Sequence, residues 1–177
     1  MSTTKWVLDP THSELGFKIK HLMITNVSGA FNRFDVQTET SSDDFSQALV
    51  EANVEVASIN TNNSQRDEHL RNADFFAADA HPYISFKSTK VEKVDNETFH
   101  LYGDLTIKET TKPVKLAVEH SGIAKDPWGN VKAGFTINGK INRKDWGINY
   151  NAALETGGVM LGEEVKINGE IQLVKQA

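Results

Sequence analysis

The stretch Val165-Lys-Ile-Asn-Gly-Glu-Ile-Gln-Leu173 alternates apolar and polar side chains along its length. Successive side chains of a β-strand point to opposite faces, so the alternation predicts a strand with one face in a core and the other in water. A face left to water is typical of antiparallel sheets, because both faces of a parallel sheet are buried. This segment therefore predicts an antiparallel, all-β protein.

The same alternation recurs toward the N-terminus at spacings typical of barrels and sandwiches. The apolar sets that share one face are Leu15, Phe17 and Ile19; Val50, Ala52, Val54 and Val56; Phe99, Leu101, Leu105 and Ile107; Val114, Leu116 and Val118; and Val131, Ala133, Phe135 and Ile137. Asp95-Asn-Glu97 and Asp126-Pro-Trp-Gly-Asn130 have the composition of tight turns. Asn138-Gly139 and Asn168-Gly169 would split good alternating runs if they formed turns, so we interpret both as bends or bulges within strands.

One segment departs from the strand pattern. Ser64-Gln-Arg-Asp67 fits a capping box with Ser64 as the N-cap, and it predicts a short helix supported by an i,i+4 pair between Asp67 and Arg71. Pro82 prevents that helix from continuing. Because the chain contains no linker or internal repeat, we expect residues 1–177 to form a single domain.

Composition excludes several classes of protein. The chain has 177 residues, no cysteine and a formal net charge of −5. Disulfides and thiolate metal sites are therefore excluded, and the acidic balance argues against a nucleic-acid partner, which attracts basic surfaces. The sequence has no apolar run of about 18 residues, so no transmembrane segment is expected. The N-terminus lacks the apolar region of a secretory signal, and a soluble, cytoplasmic protein is expected.

The six histidines show no metal-ligand spacing, so neither a metal nor another cofactor is expected. His12 and Ser13 are neighbours in an extended segment and point to opposite faces, which argues against a catalytic pair. We interpret His12 as a hydrogen-bonding anchor. His21 shares a face with Ile19, where it either meets a polar head group or hydrogen-bonds to a loop.

The densest charged group is Arg66, Asp67 and His69. Residues two apart on a helix lie about 200° apart, so Asp67 does not orient His69 as a base. One interpretation is a helix cap with a salt-bridged surface that ties the helix to the sheet. A contact with a ligand head group and an acid–base role are the alternatives.

Eight strands are near the number at which a barrel either fills itself with side chains or holds one small ligand. Glycines within or beside the strands mark either bends that close the barrel or places where a ligand approaches the backbone; they are Gly29, Gly103, Gly134, Gly139 and Gly169. The residue pattern thus predicts a barrel and leaves the content of its interior open.

Motifs along nearly the whole chain resemble those of the YceI-like family. The matching segments are Trp6–Ser13, Phe17, His21, Gly29–Phe31, Ser58–Thr61, Arg66–Leu70, Asp74–Phe76, Pro82–Phe86, Gly103–Ile107, Lys112–Val114, Ile141–Arg143 and Trp146–Gly147. The resemblance implies a lipocalin-like, eight-stranded antiparallel barrel with a short helix near one end. It also implies a lumen that binds isoprenoids or other long-chain lipids, a role in stress response, and no established enzymatic activity.

On this resemblance, the expected partner is an elongated apolar molecule, isoprenoid or fatty-acid-like. Independently of the resemblance, the exposed edges of the barrel closure and the helix face could form a homodimer, although no residue pattern demands one. The residues expected to contact the ligand are Phe17, Ile19, His21, Phe31, Phe34, Phe76, Phe86, Leu101, Leu105, Phe135 and Trp146. The Gly157-Gly158 and Gly162 segment is expected to form a flap over the barrel mouth. Two other functions stay open: an enzyme acting on a lipid-like substrate through Arg66, Asp67, His69 or His21, and a structural barrel with a filled core.

Overall fold

A computed structural model describes residues 3–41, 43–151 and 160–176 of the chain. Strands dominate these ranges, and the one α-helix within them is α1 (Ser64–Arg71). The strands are β1 (Thr4–Leu8), β2 (Glu14–His21), β3 (Thr25–Phe31), β4 (Phe34–Ser41), β5 (Asp44–Glu55), β6 (Ile59–Asn60), β7 (Tyr83–Lys93), β8 (Thr98–Ile107), β9 (Thr110–Lys125), β10 (Val131–Asn142) and β11 (Leu161–Lys175). Short 3-10 turns lie at Pro10–His12, Val56–Ser58 and Arg143–Trp146.

Eight strands close into an antiparallel barrel in the order β1-β4-β5-β7-β8-β9-β10-β11. The last strand returns to the first through the pairs Trp6↔Lys175 and Leu8↔Leu173. Strand β2 pairs with the N-terminal part of β11, whereas β1 pairs with its C-terminal part. Strand β3 pairs with β2, and β6 pairs with β3, so these strands extend the wall of the barrel. The predicted eight-stranded antiparallel barrel with one short helix is therefore confirmed.

Both Asn-Gly dipeptides lie inside continuous strands, as predicted, but neither forms the bulge that was the alternative to a bend. Asn138 of β10 pairs with Asn168 of β11 in a ladder that shows no break on either side. The irregularity of β10 lies elsewhere, where its pairing with β9 shifts between Gly134 and Phe135. Such a shift is typical of a bulge, which bends a strand locally.

The helix begins differently from its prediction. Asn63 is the N-cap in place of Ser64, and its side-chain oxygen accepts a hydrogen bond from the Arg66 backbone N–H at 3.0 Å. Asp67 does not pair with Arg71. Its buried carboxylate accepts hydrogen bonds from the backbone N–H and the hydroxyl of Thr61. Arg71 donates instead to the Ala57 carbonyl at 3.1 Å and to the Ile59 carbonyl of β6 at 3.4 Å, so both charged side chains tie the helix to the segment 57–61 that precedes it.

A partly buried ionic network fixes the bend between β1 and β2. The Asp9 carboxylate accepts hydrogen bonds from Lys132 Nζ at 2.8 Å and Gln172 Nε2 at 3.1 Å, and it contacts His12 Nδ1 at 2.9 Å. The hydrogen bond from the Lys132 ammonium holds the pKa of Asp9 far below its usual range. His12 is therefore an anchor for this bend, as its interpretation predicts.

Two apolar clusters fill the ends of the barrel. The closed end, where β1 begins and β11 ends, packs Trp6 against Phe45, and Phe45 against Phe135 with ring centroids 4.9 Å apart. The helix end packs Phe75 and Trp146 beneath α1. The middle of the barrel lies between these two clusters.

Gly103 makes room for an aromatic ring inside the barrel. A Cβ atom at this inward position of β8 would lie 2.5 Å from the Phe86 ring and 2.6 Å from the Lys87 carbonyl oxygen. Gly29 is crowded in the same way by the ring of Phe17. At these two glycines, the group that approaches the backbone is the protein's own side chain.

Candidate ligand-binding cavity

A cavity of about 640 Å³ occupies the barrel interior. Its wall consists mainly of apolar side chains from the inward faces of the strands, among them Leu15, Val27, Val36, Val50, Ala52, Val114, Leu116, Ile137, Ile141, Val165 and Ile167. Its volume falls within the roughly 300–1,000 Å³ that is usual for small-molecule sites. The side chains of the described residues leave this interior space open, which contradicts the filled-core alternative for that part of the chain.

The inward faces of the strands are less buried than the walls of a packed core. Val50 and Ala52 face inward on β5, yet both are only half-buried because they border the cavity. Leu116 on β9 and Ile137 on β10 are half-buried for the same reason. The barrel thus offers a continuous apolar surface on its inside.

Most residues that the sequence predicts as ligand contacts line this cavity. They are Phe17, Ile19, His21, Phe31, Phe34, Phe76, Phe86, Leu101 and Leu105. They come from β2, β3, β4, β7 and β8 and from the segment after α1. Their contact with a ligand stays a prediction.

Phe135 and Trp146 lie outside the cavity wall, which corrects their prediction. Phe135 is buried in the closed end, where its ring stacks on His120 with centroids 4.6 Å apart. Trp146 is buried at the helix end, and its indole N–H donates to the Leu105 carbonyl at 2.9 Å. In both cases the protein's own packing covers the ring.

Several residues that line the cavity were not predicted from the sequence. Phe75 lines the wall beside Phe76, and its ring lies 5.1 Å from that of Tyr150 and 5.0 Å from that of His69. Phe75 could have been found from the adjacent Phe-Phe pair. Tyr150 follows the last 3-10 turn in an irregular segment, where no periodicity indicates which way a side chain points.

Polar side chains of the wall are concentrated at the helix end. Asn63, Gln65, Arg66 and His69 from the start and body of α1 line the cavity there. Arg66 donates from Nε to the Thr61 hydroxyl at 2.8 Å and from Nη2 to the Thr61 carbonyl at 2.7 Å. Of the predicted charged group, Arg66 and His69 therefore reach the wall.

His69 has a carboxylate partner, although not the one nearest in sequence. Its Nε2 lies 2.8 Å from Asp74 Oδ2, in the segment that follows the helix. Its ring also packs edge-on against Tyr150, with centroids 4.9 Å apart. The pair therefore places an imidazole, already oriented by an acid, on the wall of an apolar cavity.

Arg143 also borders the cavity and is almost fully buried, with 3% of its surface exposed. Its Nε donates to the Gly162 carbonyl at 2.8 Å, and its Nη1 donates to the Ile148 and Tyr150 carbonyls, each at 2.8 Å. Its Nη2 has no hydrogen-bond partner among the described residues. Burial lowers the pKa of this guanidinium, which nevertheless stays protonated.

The rim of the cavity carries an exposed apolar turn between β2 and β3. Leu22, Met23 and Ile24 are exposed there, and the Leu22 N–H donates to the Met160 carbonyl at 2.7 Å. Met160 itself lines the cavity. Of the predicted flap, Gly162 lies in β11, whereas Gly157 and Gly158 lie outside the described residues.

Within residues 3–41, 43–151 and 160–176, no group of three or more His, Asp or Glu side chains is placed to hold a metal ion. The helix found in these ranges is too short and too polar to cross a membrane.

Comparisons with known proteins agree with this architecture. A family model described as the YceI-like domain matches residues 6–173. A UPF0312 protein of Staphylococcus aureus is 43% identical over 170 residues, with 96% of each chain covered. The crystal structure of a Campylobacter jejuni YCEI protein is 35% identical, with 96% of this chain and 97% of that one covered and a TM-score of 0.77. A domain from Saccharophagus degradans described as polyisoprenoid-binding shares the fold at 13% identity, with 97% and 98% coverage and a TM-score of 0.68.

Proposed function

Because the chain belongs to the YceI-like family, we propose that it binds a long-chain apolar molecule, an isoprenoid or another lipid, inside its barrel for transport, storage or sequestration. The observation that carries the proposal is the cavity of about 640 Å³ with its apolar wall. A hydrocarbon chain gains free energy by leaving water, and this interior offers it an apolar surface.

The volume of the cavity suits a ligand of moderate length. One water molecule takes about 30 Å³ in the liquid and a methylene group is of similar size, so the cavity holds on the order of 20 heavy atoms. Burying about 20 methylene groups contributes roughly 16 kcal/mol before the costs of association. Those costs are on the order of 4–15 kcal/mol, so the cavity is large enough for net binding.

The structural comparisons support an apolar ligand. The Saccharophagus degradans domain with the same fold is described as binding polyisoprenoids. For this chain we infer the same broad class of ligand, since its cavity offers few polar groups away from the helix end. A chain held mainly by apolar contacts is selected by length and bulk, so several lipids of similar size should bind.

Native mass spectrometry of protein purified without detergent tests the proposal. We expect a bound species whose mass identifies a lipid after extraction, and we expect the stripped protein to take up a neutral fluorescent polyene such as diphenylhexatriene. Protein that carries no lipid and takes up no polyene would contradict the proposal.

Catalysis on a lipid-like substrate is the second candidate, and the His69–Asp74 pair on the cavity wall is the observation that favours it. An imidazole oriented by a carboxylate is suited to take a proton from water or a hydroxyl. The discriminating measurement is turnover of a panel of lipid esters by the wild type and by His69→Gln. We expect binding without turnover, and turnover that His69→Gln abolishes would establish an enzyme instead.

Three further expectations stay predictions: a cytoplasmic location, a role in stress response and a homodimer. Fractionation of cells tests the first, growth of a deletion strain under stress tests the second, and sedimentation of the purified protein tests the third.

A further inference from the structure

The described wall of the cavity contains basic side chains and no acidic one. Arg66 and Arg143 line it together with His21 and His69, whereas no described Asp or Glu does. The whole chain carries a formal charge of −5, so this balance is opposite to that of the molecule. The cavity is therefore a positively charged, apolar interior within an acidic protein.

The carboxylates near the helix end are engaged elsewhere. Asp67 accepts hydrogen bonds from Thr61, and Asp74 contacts His69. Glu163 forms an ion pair with Lys144 Nζ at 2.8 Å. Glu163 attracts Arg143 only from a distance, and the acceptors that Arg143 contacts are backbone carbonyls.

Arg143 is a buried cation without a contacting anion among the described residues. The carbonyls of Ile148, Tyr150 and Gly162 satisfy its Nε and Nη1 donors, but carbonyls do not neutralise a charge. Its Nη2 group has no acceptor in the part of the chain that the structure describes. A buried charge is costly unless it is paired, and an unsatisfied donor adds to that cost. An anion bound at this side of the cavity would neutralise the charge of Arg143 and accept a hydrogen bond from its Nη2 group.

We propose that the ligand is an anionic amphiphile whose carboxylate or phosphate head group binds at the helix end beside Arg143 and Arg66, with its chain directed toward the closed end. The inference rests on the proposed function and names the class of ligand. Guanidinium groups match the geometry of carboxylates and phosphates, since both present paired oxygens to the planar N–H donors. The opposite part of the wall, with Leu101 and Ile171, belongs to the apolar cluster of the closed end and suits a hydrocarbon chain.

Displacement of diphenylhexatriene from the stripped protein tests the proposal with matched ligands at neutral pH. Oleate is compared with oleyl alcohol, and geranylgeranyl phosphate with geranylgeraniol. We expect at least one anion to bind about tenfold or more tightly than its alcohol, which corresponds to about 1.4 kcal/mol. The relative strength of the two anions distinguishes a carboxylate from a phosphate head group. If both alcohols bind as tightly as their anions or more tightly, the head-group inference is overturned and the proposed function stays intact. If neither diphenylhexatriene nor any of the lipids binds, the proposed function itself is contradicted.

Variants locate the head group. Arg143→Met and Arg66→Met each keep an unbranched stem, and we expect them to reduce the preference for the anion while the alcohol binds within about threefold of its wild-type affinity. Lys18→Met is the matched control, because it removes one positive charge from an exposed position of β2 outside the cavity wall. A preference that survives in both arginine variants, or that disappears equally in the lysine variant, would overturn the assignment.

Arg143→Met removes hydrogen bonds to three backbone carbonyls and can prevent folding, so a measurement on the wild type accompanies it. Carbon NMR of bound, carboxyl-labelled oleate reports the ionisation of its head group as the pH falls. We expect the bound carboxylate to stay ionised below about pH 4.3, the usual pKa of a glutamate side chain in water, because a neighbouring guanidinium stabilises the anion. Protonation of bound oleate at a higher pH than this would contradict the proposal.

Discussion

Ala52→Phe tests whether the ligand occupies the cavity in the barrel. Ala52 faces inward on β5 between Val36 of β4 and Phe86 of β7, and it lines the cavity. The larger side chain adds six heavy atoms, which at about 30 Å³ each take roughly 180 Å³, more than a quarter of the 640 Å³ available. A ligand that gives up about six methylene contacts loses roughly 5 kcal/mol of gross burial energy at about 0.8 kcal/mol each.

Fluorescence titration with fatty acids of increasing length measures this loss. We expect Ala52→Phe to weaken oleate binding by at least about 100-fold and to shorten the preferred chain by about six carbons. The matched control is Leu49→Phe on the outward face of the same strand, where Leu49 is 62% exposed and where binding should not change. Thermal stability of the ligand-free variant should be unchanged or higher, since the new ring fills existing space. Unchanged affinity and an unchanged preferred length in Ala52→Phe would refute a ligand site inside the barrel.

Three further predictions concern the residues that shape the barrel around the cavity. Asp9→Asn should lower the free energy of unfolding by about 2–3 kcal/mol at neutral pH. Because the pKa of Asp9 is lowered in the folded state, its carboxylate stabilises the protein above about pH 4, and this contribution is lost as the pH falls further. Urea unfolding at several pH values should therefore show the stabilities of the two proteins converging in acid. Gly103→Ala places a Cβ 2.6 Å from the Lys87 carbonyl oxygen and should cost about 1–3 kcal/mol in the same assay, with weaker lipid binding because Phe86 is displaced; an Ala variant as stable as the wild type would contradict this. Asn63→Ala should destabilise the protein by about 1 kcal/mol, whereas Ser64→Ala should have little effect, and the reverse order would restore Ser64 as the helix cap.

The architecture could be predicted because alternation reports directly which face of a strand is buried. The runs ending in Ile137 and in Leu173 form β10 and β11, and both continue through an Asn-Gly dipeptide. The alternation outweighed the turn preference of these dipeptides, since a turn would have exposed half of each apolar face.

The height of a residue along the barrel axis could not be predicted in this way. Leu101 and Phe135 both face inward, yet Leu101 borders the cavity and Phe135 is packed at the closed end. The alternation of apolar and polar residues along a strand shows which side chains point into the barrel. It does not show which of these side chains pack against partners from the other side of the barrel. Such a partner is Phe45 of β5, a strand distant in sequence from β10.

The basic side of the site was still harder to predict. Arg143 lies in a segment singled out from the sequence, but its burial and its unpaired Nη2 depend on carbonyls of the irregular residues that follow it. The predicted helix cap was wrong by one residue for a related reason. Asp67 accepts a hydrogen bond from Thr61 and does not complete a capping box with Ser64, and Asn63 caps the helix. Tertiary contacts of this kind override local patterns.

A crystal structure of the protein grown with oleate would decide whether the barrel is a lipid carrier. We expect elongated electron density that begins beside Arg143 at the helix end and runs past Ala52 and Phe86 toward Leu101. An interior occupied by rearranged side chains, with oleate only on the outer surface of the barrel, would contradict the proposed function.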